Sequence, residues 1–297
     1  MGFIYEGGTA QTVKKLTRAL TLVATSSSYG GNIVGLAADS GFVYVGGVTT
    51  QTVKKLRSKD LVQVAESADY GGTIHIIRAA DADYVYVSGA TTLRVKKLNK
   101  SDLSEATQSS VFTSTQWAMD EDATHVYVAG ADGIVTKLQK SDLTSVATGP
   151  ATPVPGGINS LCVDATHVYC GGGQFGSYNV QKLLKSDLTW VATSSEYNDI
   201  IQVLINDTES VYVAGDQQIV EKRQKSDLAV VATSVDLNDL LAMTQDVDFI
   251  YAAGIGAVVR KLRKSDLVEQ GLSGPNYGGT IRVLAIGPGG GGWVQII

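Results

Sequence analysis

The sequence predicts an all-β protein, a seven-bladed β-propeller of four-stranded blades closed by pairing of its N- and C-terminal strands. Three observations carry that prediction. A tyrosine recurs at Tyr5, Tyr44, Tyr86, Tyr127, Tyr169, Tyr212 and Tyr251, at intervals of 39, 42, 41, 42, 43 and 39 residues. A lysine follows in step at Lys15, Lys55, Lys97, Lys137, Lys182, Lys222 and Lys261. Between them, short runs rich in Val, Ile, Thr and Tyr alternate with Gly, Asp and Ser, and no stretch sustains a helical period. Seven copies at a period near 41 mark a repeat architecture. Small sheets of this kind bury both faces only against their neighbours, which favours a ring.

One copy shows the elements in order. Phe42 to Val45 is an apolar strand ending at Gly46-Gly47, and Thr50 to Leu56 is a second, ending at a Ser-Lys-Asp turn. Leu61 to Ala65 is a third, and after Tyr70-Gly71-Gly72 comes a fourth, Thr73 to Ala79, the innermost strand of the next blade. The repeats run about 3–41, 42–83, 84–124, 125–166, 167–209, 210–248 and 249–290, as one domain over 1–297. The chain begins one strand late, so Thr280 to Ile286 must supply the first blade's inner strand. A surplus segment, 293–297, then either adds to an edge or displaces residues 3–6.

Two aspartate series mark the turns. Asp60, Asp102, Asp142, Asp187, Asp227 and Asp266 follow the recurring lysine by five residues, and Asp39, Asp81, Asp122, Asp164, Asp207 and Asp246 precede the tyrosine strand. Aspartate holds tight turns through its own backbone. Each lysine is expected to pair locally with the aspartate that follows it, and each tyrosine to fill a seam between blades with its hydroxyl on a polar group of its own blade.

The net charge of −5 and pI near 5.2 offer no concentrated basic face for nucleic acid. The two cysteines, Cys162 and Cys170, read as buried free thiols. No run is long enough to cross a bilayer. The N-terminus lacks a charged start followed by an apolar stretch, leaving a cytoplasmic or virion-associated chain as the expectation.

The segments VYVAG, VTKLQKSDLTSVAT and INSLCVDATHVYCGG resemble the seven-bladed propellers of the quinoprotein-like and YVTN-repeat type. The quinoprotein repeat carries a Thr-Gly after its Asp and a Trp closing the strand. Here only Trp190 falls near that position and no Thr-Gly follows Asp187, so the resemblance brings no quinone with it. Repeats this alike also resemble those of phage-encoded structural and tail proteins.

Candidate functional residues fall into three groups. Inner-strand residues at one matched position, Val34, Trp117, Asn159, Gln202, Leu241 and Arg282, with His75 close to it, are expected to line the channel. They include no paired carboxylates and no Ser/His/Asp order, so no catalytic residue, metal ligand or cofactor is assigned. His125 and His167 share one repeat position without a third ligand at metal spacing. The loops of one rim vary between copies and carry Tyr29, Tyr70, Phe112, Phe175, Tyr178, Tyr197 and Tyr277, the expected binding face. The reading is a non-enzymatic binding or assembly scaffold, a structural or surface component of a virion or appendage docking a protein partner. The alternative is a lectin-like reader of surface glycans, and a lactonase- or lyase-type enzyme is the lesser one.

Overall fold

In the computed structural model the chain closes into a ring of seven antiparallel sheets, with no helix among the described residues. Those residues are 2–151, 156–173, 178–238, 240–271 and 274–287, with the backbone of 294–295. Blade 1 holds β1 (Ile4–Gly8), β2 (Lys14–Leu16) and β3 (Leu22–Thr25). Blade 2 holds β4 (Ile33–Ala38), β5 (Phe42–Gly47), β6 (Lys54–Arg57) and β7 (Gln63–Glu66). Blade 3 holds β8 (Ile74–Arg78), β9 (Tyr84–Gly89), β10 (Lys96–Asn99) and β11 (Glu105–Gln108). Blade 4 holds β12 (Gln116–Glu121), β13 (His125–Gly130), β14 (Thr136–Gln139) and β15 (Ser145–Thr148). Blade 5 holds β16 (Ile158–Val163), β17 (His167–Gly172), β18 (Gln181–Leu184) and β19 (Trp190–Thr193). Blade 6 holds β20 (Ile201–Asn206), β21 (Ser210–Gly215), β22 (Val220–Gln224) and β23 (Val230–Thr233). Blade 7 holds β24 (Leu240–Gln245), β25 (Phe249–Gly254) and β26 (Arg260–Arg263), with an isolated bridge from Leu262 to Glu269 where the other blades have an outer strand.

The ring closes as the repeat order requires. β27 (Ile281–Ile286) is the inner strand of blade 1, pairing Ile4 with Ile286 and Tyr5 with Ala285. The surplus tail does not displace β1. Its strand β28 (Val294–Gln295) adds to the free edge of β27 and lies near β24, β20 and β4 across the channel.

The seams between blades form the core. Tyr44 of blade 2 packs with Ile74, Ile77, Val85 and Leu98 of blade 3, and the other repeat tyrosines are buried likewise. Close approach needs glycine on one side: a Cβ on Gly46 would meet Ile74 Cγ2 at 2.6 Å.

Polar ties cross every seam. In blades 2 to 7 the tyrosine hydroxyl donates to the aspartate five residues before it, at 2.9 Å for Tyr44–Asp39 and 2.7 Å for Tyr212–Asp207. The other oxygen of Asp39 caps the N–H groups of Gly41 and Phe42. A base from the following blade then clamps the same aspartate: Lys100 on Asp39, Lys185 on Asp122, Lys225 on Asp164, and Arg18 on Asp246 at the closing seam.

The recurring lysines do not pair with the local aspartates. Lys15 donates to the Ser58 carbonyl at 2.7 Å, Lys97 to Lys140 at 2.7 Å and Lys182 to Lys225 at 2.6 Å, each in the hairpin of the next blade. The reason is geometric. The ammonium crosses a seam where carbonyls of a tight turn lack partners, while the turn aspartate is occupied by its own backbone, as with Ser104 N–H on Asp102. Where a local ion pair does form, its base is an arginine, Arg57 on Asp60 and Arg263 on Asp266.

Each of these hairpins ends in a leucine with positive φ, from 59° at Leu267 to 65° at Leu103, with its side chain buried. The left-handed backbone costs such a residue about 1–2 kcal/mol, which burial of a leucine, about 1.5–3 kcal/mol, offsets.

Candidate functional site

The variable rim was expected to offer its aromatics to a ligand. Tyr29, Tyr70, Tyr197 and Tyr277 are instead buried, and each staples two blades. The Tyr197 N–H donates to the Tyr178 carbonyl of blade 5, and its hydroxyl donates to the Ile219 carbonyl of blade 6 at 2.6 Å. Tyr29 does the same between Gln11 and Thr52, Tyr70 between Gln51 and Arg94, and Tyr277 between Ala257 and Thr12. Burial pushes these phenols above the usual range, Tyr197 furthest, helped by the Glu221 charge. Phe112 and Tyr178 are half-buried, and Phe175 lies outside the described residues. The rim therefore presents little aromatic surface for stacking. The signal was in the sequence: Tyr-Gly-Gly recurs at 29–31, 70–72 and 277–279, and recurrence at fixed offset belongs to the scaffold.

The seven inner-strand residues expected at the channel fall at one equivalent position, with Val34 and Asn159 buried there. Val34, His75, Trp117, Asn159, Gln202, Leu241 and Arg282 are the bulged residues of the seven inner strands, so His75 is in register with the rest. They form one ring of equivalent positions at the variable-loop end. Asn159 is spent on the Ile201 carbonyl and Gln202 on Asp216. His75 Nδ1 and Arg282 Nε are buried without a hydrogen-bond partner. Burial holds the His75 imidazole down at about 4, neutral at physiological pH. No acid stands at any of the seven positions.

His125 and His167 have a structural explanation. In four other blades this position is Phe3, Phe42, Tyr84 or Phe249, and the crossing lysine lies 3.8–3.9 Å above that ring; in blade 6 it is Ser210. The histidines replace the platform in blades 4 and 5 and bond their neighbouring threonines, Thr124 and Thr166. Burial, then the nearby lysine, lowers both imidazoles. Among the described residues no group of three His, Cys, Asp or Glu is placed to hold a metal. Cys162 and Cys170 are buried free thiols, raised by burial.

The feature that sequence reasoning missed lies at the opposite mouth of the channel. A cavity of about 480 Å³ opens between the ends of β12, β16, β20 and β24, lined by Asp120, Glu121, Asn206, Gln245, Asp246 and Lys264 among others. The register explains it. The inner-strand residue opposite the repeat tyrosine is Ala37, Cys162, Ile205 or Ala285 in four blades, but Arg78 and Asp120 in blades 3 and 4. The next position is Ala38, Val163 or Ile286, but Glu121, Asn206 and Gln245 in blades 4, 6 and 7. These polar substitutions reach across seams. Asp120 Oδ2 accepts from the Val163 N–H at 2.9 Å, Asn206 donates to the Val163 carbonyl at 3.1 Å, and Gln245 donates to the Asn206 carbonyl at 2.6 Å. Burial raises the Asp120 carboxyl to about 6 against the pull of Arg78.

A second candidate is on the circumference, where the outer strands β3, β15, β19 and β23 are all uncharged and β3 exposes Leu22 and Val23. Outer strands β19 and β23, in adjacent blades, expose Trp190 (43%), Val191 (47%), Val230 (41%) and Val231 (51%) and contain no charged residue. β11 at the same place in blade 3 reads Glu-Ala-Thr-Gln.

No family model matches the chain, and no curated protein matches it. Among solved structures it is similar to the crystal structure of the computationally designed Ika8 protein, with a TM-score of 0.73 at 12% identity, covering 99% of this chain and 93% of that one. At that identity the likeness is one of fold.

Proposed function

We propose that the protein is a non-enzymatic binding and assembly scaffold that docks a protein partner on the outer edges of blades 5 and 6. One observation carries the reading: two neighbouring outermost strands that are both apolar and free of charge. Natural sheets blunt such edges with lysine, proline or bulges, because an unpaired strand edge recruits another strand. β19 and β23 carry bulges at Val191 and Val231 but neither lysine nor proline, and their exposed apolar side chains suit a surface that a partner covers by apolar packing. A rigid ring with its polar groups spent on blade-to-blade ties fits a structural component of a larger assembly, such as a virion or surface appendage. The glycan-reading alternative loses its main support, since four of its seven aromatics are buried staples.

The test is a Val191→Lys/Val231→Lys variant, both sites being exposed. The two proteins should unfold at the same temperature. Wild-type protein is expected to retain a partner in cross-linking and affinity capture from producing cells, or to self-associate in light scattering, and the variant to do neither. Identical behaviour of the two proteins in all three assays would sink the proposal.

A further inference from the structure

We propose that the cavity at the aspartate-turn mouth of the channel binds a small, neutral, hydroxyl-rich molecule of the polyol or monosaccharide class, recognised by acceptor atoms of Asp120 and Gln245. The site is separate from the blade edges and does not depend on them. Its volume, about 480 Å³, lies within the range of small-molecule sites. It coincides with the place where three of four neighbouring inner-strand ends, those of β12, β20 and β24, depart from the repeat, and a ring that needed only stability would keep alanine, valine and isoleucine there.

The charges around the cavity choose the ligand class. Every acid at its wall already has a base: Arg78 for Asp120, Lys140 for Glu121, Lys264 for Asp207 and Arg18 for Asp246. The wall is polar but electrically balanced, so neither a cation nor an anion gains a free counter-charge. Hydrogen-bond acceptors are what remain. Gln245 is 2% exposed, lines the cavity, and has an amide oxygen without a donor, its nitrogen being held by the Asn206 carbonyl. Asp120 Oδ1 stands 3.6 Å from Arg78 Nε, beyond hydrogen-bond reach. A buried acceptor without a donor is a standing cost that a hydroxyl donor relieves. Asn206 and Thr208 on the same wall add further polar groups around one small molecule.

The experiment uses the full chain with glycerol, myo-inositol and glucose as probes, and putrescine and acetate as charged controls. Saturation-transfer NMR and calorimetry read the binding. Saturable binding of a neutral probe is expected, weakened roughly tenfold by Gln245→Leu, the loss of one hydrogen bond. Asp120→Asn supplies a second variant, because it keeps the side-chain oxygen for the Val163 N–H while changing the other atom from acceptor to donor. The Val191→Lys/Val231→Lys protein should bind the probe normally, which separates this site from the docking edge. Overturning results are absence of saturable binding by any neutral probe, preference for putrescine or acetate, or unchanged affinity in either variant that folds.

Discussion

Lys97 of blade 3 donates its ammonium to the Lys140 carbonyl of blade 4 at 2.7 Å, and equivalents of this bond recur around the ring. The lysine is buried at the seam and rests 3.8 Å above the Tyr84 ring. Replacing it with methionine keeps the stem and removes the donor. Lys97→Met should cost about 1.5–3 kcal/mol, the range for a charge-assisted bond, in urea unfolding. A cost near zero would show that the carbonyl finds another donor.

Glu6 is the reverse case, a polar residue with nothing to hold it. It is fully buried in β1, neither carboxylate oxygen has a partner, and Val45, Val87, Val128 and Val213 hold its place in other blades. Burial raises its carboxyl to about 8, against the attraction of Lys14. The folded state therefore keeps a proton that the unfolded chain releases near the ordinary glutamate value of 4.5. Stability should fall as pH rises from that value to about 8, then level off. Glu6→Val should remove the slope and add on the order of 3 kcal/mol at pH 7. A variant no more stable than wild type at pH 8 would refute this.

The six clamped aspartates act in the opposite direction. Burial alone would raise the Asp122 carboxyl, but Lys185, the N–H groups of Thr124 and His125, and the Tyr127 hydroxyl hold it far below the usual range. Asp39 and Asp164 are depressed for the same reasons. A depressed carboxyl stabilises the fold above its unfolded value, about 3.9, and that contribution disappears as pH falls through the folded one. Asp122→Asn should lower stability at pH 7 and flatten the acid limb of the denaturation profile. An unchanged acid limb would count against the clamp.

The rim tyrosines give a check on the stapling role. Tyr70→Phe removes only the bond to the Arg94 carbonyl, 2.6 Å long, and should cost about 1–2 kcal/mol. Tyr70→Ala empties a buried site and should cost about 3–5 kcal/mol. If both variants were as stable as wild type, the ring would be a surface feature after all.

The repeat period fixed much of the architecture in advance. Blade number, strand order, ring closure through Thr280 to Ile286 and the tyrosine seams all follow from a period that only a closed ring of small sheets satisfies. Tyr44 needs a buried acceptor, and Asp39 stands five residues before it in the same blade, so that bond is local and legible. Lys97 was misread because its acceptor is a main-chain carbonyl of another blade, and a carbonyl leaves no mark in a sequence. The rim tyrosines were misread because position on a variable face says nothing about which way a ring turns. Asp120, Asn206 and Gln245 form one wall only when β12, β16, β20 and β24 are set side by side. Sequence recorded them as separate exceptions to the repeat. The fold brought them together, because neighbouring inner strands stand side by side around the channel although their residues lie about forty positions apart in the chain.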